Sequence, residues 1–400
     1  MDGAFALCML LFCVNLLGAD PIDFLLPPAC FFSLLTCQRR INNPALRTRL
    51  VVVFCSFLLC YSISIVIGGA QASFVANFLL NIAFAVLVFR YVDAEARARR
   101  MVLLLTVGMF GSAAVAVCSL ALNLPLLPNQ FEIVRDNRFM SLFGDPNMLA
   151  AYSIFFVLFW FDELMFPSLF KSRNRAFVVV LLMLALLQLV LTLSRSAWLG
   201  LSVSLAIYLI TGWRNLSNRN RTRIIVSLSL AAALAFAIIS ILGLDDTIIE
   251  RTTTFGEKSS EAEEERFGFF YTLAALQVAA YNPLGVGPGM TSGAMGLVSL
   301  DGLPIAAHNA FVQPISDNGW VAGILFLSGL TWLTAQALRG AWAGRRLLGI
   351  SERVVAAALV GMLVFGMFQD LLQWRLMWMV PALYVSMLAS IQRPPTRLRE

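Results

Sequence analysis

Apolar residues fill this chain in long, nearly unbroken blocks, near positions 4–19, 22–37, 50–69, 71–89, 101–122, 147–168, 176–193, 197–212, 224–243, 317–338, 354–369 and 376–391. A bilayer span needs about 20 mainly apolar residues, so each block predicts one membrane-crossing helix, some of them short. The pattern therefore predicts an all-α, polytopic membrane protein of about twelve transmembrane helices, one integral membrane domain over residues 1–400. The first block has no basic leader and is followed directly by another apolar block, which predicts a retained first helix and not a cleaved signal peptide.

Composition points the same way. The chain is 59% hydrophobic and only 13% charged, where soluble domains hold roughly 25% charged residues. The net charge of +6 invites a nucleic-acid reading, but the placement of the basic residues excludes it. Arg39, Arg40, Arg47 and Arg49 share one connection; Arg90, Arg97, Arg99 and Arg100 the next; then come Lys171, Arg173 and Arg175. Arg214, Arg219, Arg221 and Arg223 follow, then Arg339, Arg345, Arg346 and Arg353, and finally Arg393, Arg397 and Arg399. With twelve spans and the N-terminus inside, all of these fall on the cytoplasmic side, the positive-inside bias that sets topology. The remaining basic residues, Arg135, Arg138, Arg195, Arg251, Lys258, Arg266 and Arg375, all fall outside. Each breaks the charge rule and needs a local reason. The seven cysteines lie in or at the ends of apolar blocks in the first third, which predicts buried packing thiols and no disulfide framework.

Two outer segments are long, about 123–146 and about 244–316, and the second is the largest piece outside the spans, between helices nine and ten. Segments of that length are usually functional or disordered. Within it, residues 262–281 predict an amphipathic helix on or beside the outer leaflet. Glu263, Glu264 and Glu265 open it, where the helix dipole favours negative charge. The glycines of "PLGVGPGM" then end the helix. Gly285, Gly287 and Gly289 imitate a phosphate-binding fingerprint without its strand and following helix; a flexible loop letting backbone approach a lipid headgroup is the preferred reading.

His308 is the only histidine in 400 residues and stands in the outer segment just before helix ten, next to Asn309. An imidazole titrates near neutrality and suits a general base. Arg195 stands at the outer junction of helices seven and eight between Ser194 and Ser196; Arg266 follows the acidic run; Arg138 precedes "GDPN", where Asp145 and Pro146 predict an N-cap and first turn. Asp370 and Arg375 suggest an outer pair between helices eleven and twelve. Guanidinium forks grip phosphate oxygens bidentately and stay charged, so several at headgroup level suit a diphosphate. Transfer of a sugar from a lipid diphosphate fits such a set, because the leaving group is already good and only the attacking hydroxyl needs a base. The close carboxylate pair of a retaining glycosidase has no signal here, since Asp145, Asp317 and Asp370 lie far apart along the chain. Nor does any oxygen-ligand loop or histidine pattern call for a metal.

"RFMSLFGDPNMLA", "LSRSAWLG" and the block from Arg266 through "NPLGVGPGM" to "HNAFVQPISDNGW" resemble the O-antigen ligase and polymerase superfamily of bacterial envelope enzymes, over roughly residues 100–390. The ligase pattern of His, a small amide or hydroxyl residue, nine residues, then Gly is met by His308, Asn309 and Gly319. Ala322 stands where Gly, Thr or Tyr would be expected. The arginine-to-glycine spacing frequent in the polymerases is not found at the outer arginines. The resemblance implies an inverting, metal-independent glycosyltransferase of the inner membrane with a periplasmic site and no cofactor. Its donor would be an undecaprenyl diphosphate-linked glycan and its acceptor a lipid A core sugar, with His308 as base and Arg195, Arg266 and Arg138 on the diphosphate. Asn309, Gly319, Ser194 and Ser196 would support them. A polymerase of the same superfamily is the nearest alternative; a flippase for the same lipid would call for an internal repeat, and none is visible.

Overall fold

Helices supply almost all the regular structure of the computed structural model, which describes residues 2–11, 25–30, 33, 44–122, 134–135, 138–170, 175–213, 217–219, 221–222, 224–226, 229, 269–297 and 307–391. In chain order they are α1 (Asp2–Leu11), α2 (Pro44–Gly68), α3 (Ala72–Tyr91), α4 (Glu95–Leu122), α5 (Pro146–Met165), α6 (Arg175–Leu191), α7 (Arg195–Trp213), α8 (Phe269–Tyr281), α9 (Thr291–Gly296), α10 (Gln313–Trp342), α11 (Glu352–Gly366) and α12 (Arg375–Ser390). Two antiparallel ladders of two-residue strands, β1 (Val134–Arg135) with β2 (Arg138–Phe139) and β3 (Arg346–Leu347) with β4 (Ile350–Ser351), turn corners between them. Among the described residues six helical stretches are long and apolar enough to cross a membrane, within α2, α3, α4, α5, α7 and α10, and α6 and α12 are shorter apolar helices. The chain is an all-α, multi-pass membrane protein. The first, second and ninth predicted spans fall largely outside the described residues, as do residues 262–268 of the predicted amphipathic helix, whose described part is α8.

The bundle is organised around α5 and α11. Both are apolar on every face, the signature of a helix surrounded by protein, and nearly every residue of each is buried. α5 is lined with rings that meet their neighbours tilted or edge-on, among them Phe143–Tyr152, Phe159–Trp160 and Phe161–Tyr208. α11 is lined with small residues instead, so α7 reaches it backbone to backbone. A Cβ on Gly200 would lie 3.0 Å from the Gly361 carbonyl oxygen, and one on Gly361 would collide with the Ser204 hydroxyl. Small residues are how membrane helices approach closely. By contrast α2 turns Val51, Val52, Leu59, Val66 and Ile67 outward, an exposed apolar face suited to lipid. Cys8 and Cys30 are buried as expected, but Cys55 and Cys118 lie on exposed faces, so burial does not hold for every thiol.

The predicted charge asymmetry appears as a physical division between the two ends of the bundle. At one end the β3–β4 hairpin and its flanks hold Arg345, Arg346 and Arg353 against the ends of α5, α7, α10 and α12. Arg346 pairs with Asp162, which also accepts the Tyr208 hydroxyl at 2.6 Å. Glu163 accepts three backbone N–H groups, from Ser168, Leu169 and Phe170, at 3.1 to 3.2 Å. Arg345 grips Glu352 with two nitrogens, at 2.6 and 3.1 Å, and the Tyr384 hydroxyl donates to the same carboxylate at 3.0 Å. The Glu352 side chain is fully buried while Arg345 is 41% exposed.

That inequality predicts unequal mutants. Arg345→Ala strands a buried carboxylate and should cost about 3 kcal/mol or more. Glu352→Gln releases Arg345 to solvent and should cost about 1 to 2 kcal/mol. Unfolding midpoints of both variants in detergent check the order; equal losses would show that desolvation of Glu352 is not what the pair offsets.

Candidate functional site

At the end opposite the arginine-rich hairpin, the first turn of α7 and the first turn of α5 meet through one side chain. Asp145 caps α5, its carboxylate accepting the N–H of Asn147 at 2.6 Å and of Met148 at 3.2 Å, with Pro146 at the first helical position as the sequence predicts. Asn147 is thereby aimed at α7. Its Oδ1 accepts from Arg138 Nη2 at 2.6 Å and from the Ser194 hydroxyl at 2.9 Å. Arg138 also donates through Nε to the Thr192 carbonyl at 2.9 Å, one of the carbonyls left over at the end of α6. Ser194 in turn stands 3.3 Å from Ser196. Arg195, half-buried, opens α7 between them. Arg138, Asn147, Ser194 and Ser196 are therefore linked side chain to side chain, with Arg195 between the two serines in the chain.

His308 stands on the other side of the C-terminal turn of α11. The Ala310 N–H donates to the Gly366 carbonyl at 2.8 Å. Asn309 is a cap for the turn that leads into α10. Its Oδ1 accepts the N–H of Phe311 at 2.9 Å and of Val312 at 3.2 Å, and its Nδ2 donates to the Met367 carbonyl at 3.3 Å. His308, half-buried, has φ 42°, in the left-handed region that few residues with a side chain occupy. The same helix is met by α7, where Gly200, about a turn in, lies against Gly361 and Phe365.

The glycine run does something other than approach a headgroup. α10 is broken at Gly319 (φ 87°, ψ 165°), and residues 283–287 lie alongside the break. Val286 N–H donates to Ser316 O at 3.0 Å, Gly287 N–H to Asp317 O at 2.9 Å and Trp320 N–H to Pro283 O at 3.1 Å. The glycines are needed for backbone-to-backbone clearance: a Cβ on Gly285 would collide with Asp317 and Gly319, and one on Gly287 with Gly69. The expectation of a loop held open for lipid is thus overturned, since protein backbone already occupies the approach. Gly319 is the reciprocal half of this contact, its Cβ position lying 2.7 Å from Leu284 C.

A family model described as O-antigen ligase matches residues 178–327, the stretch that runs from α6 into α10 and carries Arg195, His308, Asn309 and Gly319. Over that stretch, which is less than half of the chain, the sequence is similar to the O-antigen ligase family. No curated protein matches the chain.

Arg266, expected beside Arg195, lies outside the described residues. Two groups that the sequence sets far apart are linked. Asp317, fully buried, accepts the Thr291 hydroxyl at 2.6 Å and the Thr291 N–H at 3.2 Å, and Gln313 Nε2 lies 3.5 Å from its other oxygen. Gln313 also bonds Asp370. The Gln313 amide thus links Asp317, at the break in α10, with Asp370, in the loop after α11. Burial pushes the Asp370 carboxyl up to about 6, against the opposing pull of the Leu372 N–H and the Gln313 amide.

Two outcomes follow. Gly319→Ala, placed in a region of backbone space nearly reserved for glycine, should cost about 2 kcal/mol or more, read as a lower unfolding midpoint; an unchanged midpoint would mean that the break tolerates a side chain. For Asp370 the native carboxyl holds its proton above the ordinary value near 3.9. Its contribution to stability is complete below about pH 4 and fades as pH rises through about 6. The unfolding midpoint should therefore fall between pH 4 and 7 more steeply for the unaltered protein than for Asp370→Asn, and parallel curves would contradict the assignment.

Proposed function

We propose that this protein is a metal-independent, inverting glycosyltransferase that moves a glycan from undecaprenyl diphosphate to a sugar hydroxyl of the lipid A core, at the periplasmic face of the bacterial inner membrane. One observation carries the reading. The Arg138–Asn147–Ser194 cluster stands at the start of α7, which packs through Gly200 on Gly361 and Phe365 of α11, and the loop bearing the chain's only histidine bonds the Gly366 carbonyl of the same helix through Ala310. In this reading Arg195, with Arg138 and Arg266, holds the diphosphate through charge-assisted hydrogen bonds, which contribute about 1.5 to 3 kcal/mol each. The 244–316 segment forms the periplasmic loop that carries the base.

The chemistry needs few groups. His308 takes the proton of the acceptor hydroxyl as its oxygen attacks the anomeric carbon from the face opposite the diphosphate. The bond from that carbon to the phosphate oxygen breaks, its electron pair leaves with the undecaprenyl diphosphate, and the configuration inverts. The arginines hold the charge that accumulates on the departing oxygens, the kind of pre-arranged electrostatic stabilisation that dominates many active sites. A general base supplies about 100-fold to 10,000-fold, and fixing two lipid-borne reactants in one cleft supplies much of the remainder.

His308 offers a clean separation of chemistry from folding because of its backbone. His308→Gly removes the left-handed penalty of about 1 to 2 kcal/mol and should fold at least as well as the unaltered protein, while transferring sugar at least about 100-fold more slowly. Full transfer by that variant would reject the base. Arg195→Lys keeps the charge without the fork and should lose part of the activity. Supplying lipid-linked oligosaccharide with and without core acceptor identifies the reaction: acceptor-dependent product is expected, and a polymer ladder formed without acceptor would assign the protein to the polymerases.

A further inference from the structure

We infer that Gln313 is a positioning residue for the base: its amide docks the turn that carries His308 onto the loop after α11 and ties that loop to the break in α10. The inference rests on the base reading above and adds to it the residue that holds the base in place. The turn from 308 to 313 is fastened to one stretch of chain, residues 366–370, at three points. The Ala310 N–H donates to the Gly366 carbonyl at 2.8 Å, Asn309 Nδ2 donates to the Met367 carbonyl at 3.3 Å, and the Gln313 amide donates to the Asp370 carboxylate. Gln313 also reaches along its own helix, where Nε2 lies 3.5 Å from Oδ2 of Asp317, one turn on. Asp317 is held in its turn by the Thr291 hydroxyl at 2.6 Å and the Thr291 N–H at 3.2 Å, at the start of α9.

The residue type fits that task. Among uncharged side chains only Asn and Gln carry two donor hydrogens on one atom, and Asn is a methylene shorter. Gln313 is buried, and its Oε1 has no hydrogen-bond partner among the described residues, so the amide is turned to give its nitrogen to the two carboxylates. The link passes to the histidine through the backbone. The Gln313 N–H closes the turn on the Asn309 carbonyl at 3.0 Å, and His308, the residue before, is held at φ 42°. A strained backbone of this kind persists only where its surroundings fix it, and the anchors on 366–370 are such surroundings. Arg138 and the serines of α7 are held separately, by Asn147 and the Thr192 carbonyl, and Gln313 bonds neither. Loss of the Gln313 amide should therefore disturb the base and leave the diphosphate contacts in place.

The test measures transfer by full-length Gln313→Met, a variant of similar size with no hydrogen to donate. It is assayed in detergent with undecaprenyl diphosphate-linked oligosaccharide and lipid A core acceptor, well below its unfolding midpoint. The expected kcat is about tenfold or more lower than that of the unaltered protein, because a displaced base loses much of its advantage. The KM for the donor should stay within about twofold. Gln313→Met is then combined with His308→Gly. If Gln313 acts through His308, its removal from that background should slow the remaining transfer by less than about twofold, since groups that work as one unit do not add. A loss of purely structural origin would be equal in both backgrounds. That result, or an unchanged kcat in the single variant, overturns the positioning role and leaves the base reading intact. Full transfer by His308→Gly would overturn both. Should Gln313→Met not fold, Gln313→Glu, of the same size and with at most one hydrogen to donate, takes its place in the same cycle. A severalfold loss that vanishes without His308 is then expected, and an equal loss with and without it rejects the inference.

Discussion

A helix broken at the height of a membrane must have its unpaired backbone groups met by protein, because lipid offers them no partner and each one left bare costs several kcal/mol. The break at Gly319 is met by residues 283–287, which add a short extended segment alongside 316–320 through three backbone hydrogen bonds. The rest of this end of the bundle follows from that contact. It holds Asp317 where its carboxylate can cap Thr291 at the start of α9. It brings Trp320 against α8, its indole N–H on the Ala279 carbonyl at 3.1 Å. It also fixes the first turn of α10, from which Asn309 and His308 are suspended. Gly68 and Gly69, at the turn between α2 and α3, close on Val286 and Gly287 from the far side, so the strap is held between two helix pairs.

The two ends of the bundle use charge in opposite ways. At the arginine-rich end, Asp162, Glu163 and Glu352 are buried and consumed by pairing with Arg345, Arg346, tyrosine hydroxyls and backbone N–H groups. Such networks mainly avoid the cost of an unpaired charge, and contribute little beyond that. At the opposite end Arg138 donates to the Thr192 carbonyl and to the Asn147 amide oxygen.

Much of this was legible along the chain. Block length and the positive-inside pattern predicted helices and ends, and "DPN" predicted the Asp145 cap, because these depend on local spacing and on a sorting rule that acts loop by loop. The isolation of His308 in one connection was equally visible. What could not be read were contacts made by backbone across long separations. Gly285 and Gly319 are unremarkable as letters and become required only when two unwound segments lie side by side. The Gln313 link between Asp317 and Asp370 was hidden because chain distance was used as a proxy for space. Asn147 was passed over as a first-turn residue, although a polar side chain directly after a cap and proline, facing an apolar helix, needed a partner of its own.

The two halves of the proposed site are carried by different elements, α5 with α7 on one side and the turn before α10 on the other. Their common reference is α11. It presents Gly361 to Gly200 of α7 and its Gly366 carbonyl to Ala310, two residues from His308. A helix built from large side chains could not serve both, because a methyl on Gly361 already strikes Ser204 and would push α7, with Arg195 at its tip, away from the histidine loop. The run of small residues through Ala356, Ala357, Ala358 and Gly361 is therefore a condition for the close approach of α7 to α11. In a bilayer, where helix association rests on packing because no hydrophobic drive separates lipid from side chain, close approach is the means by which a site of this kind can be positioned at all.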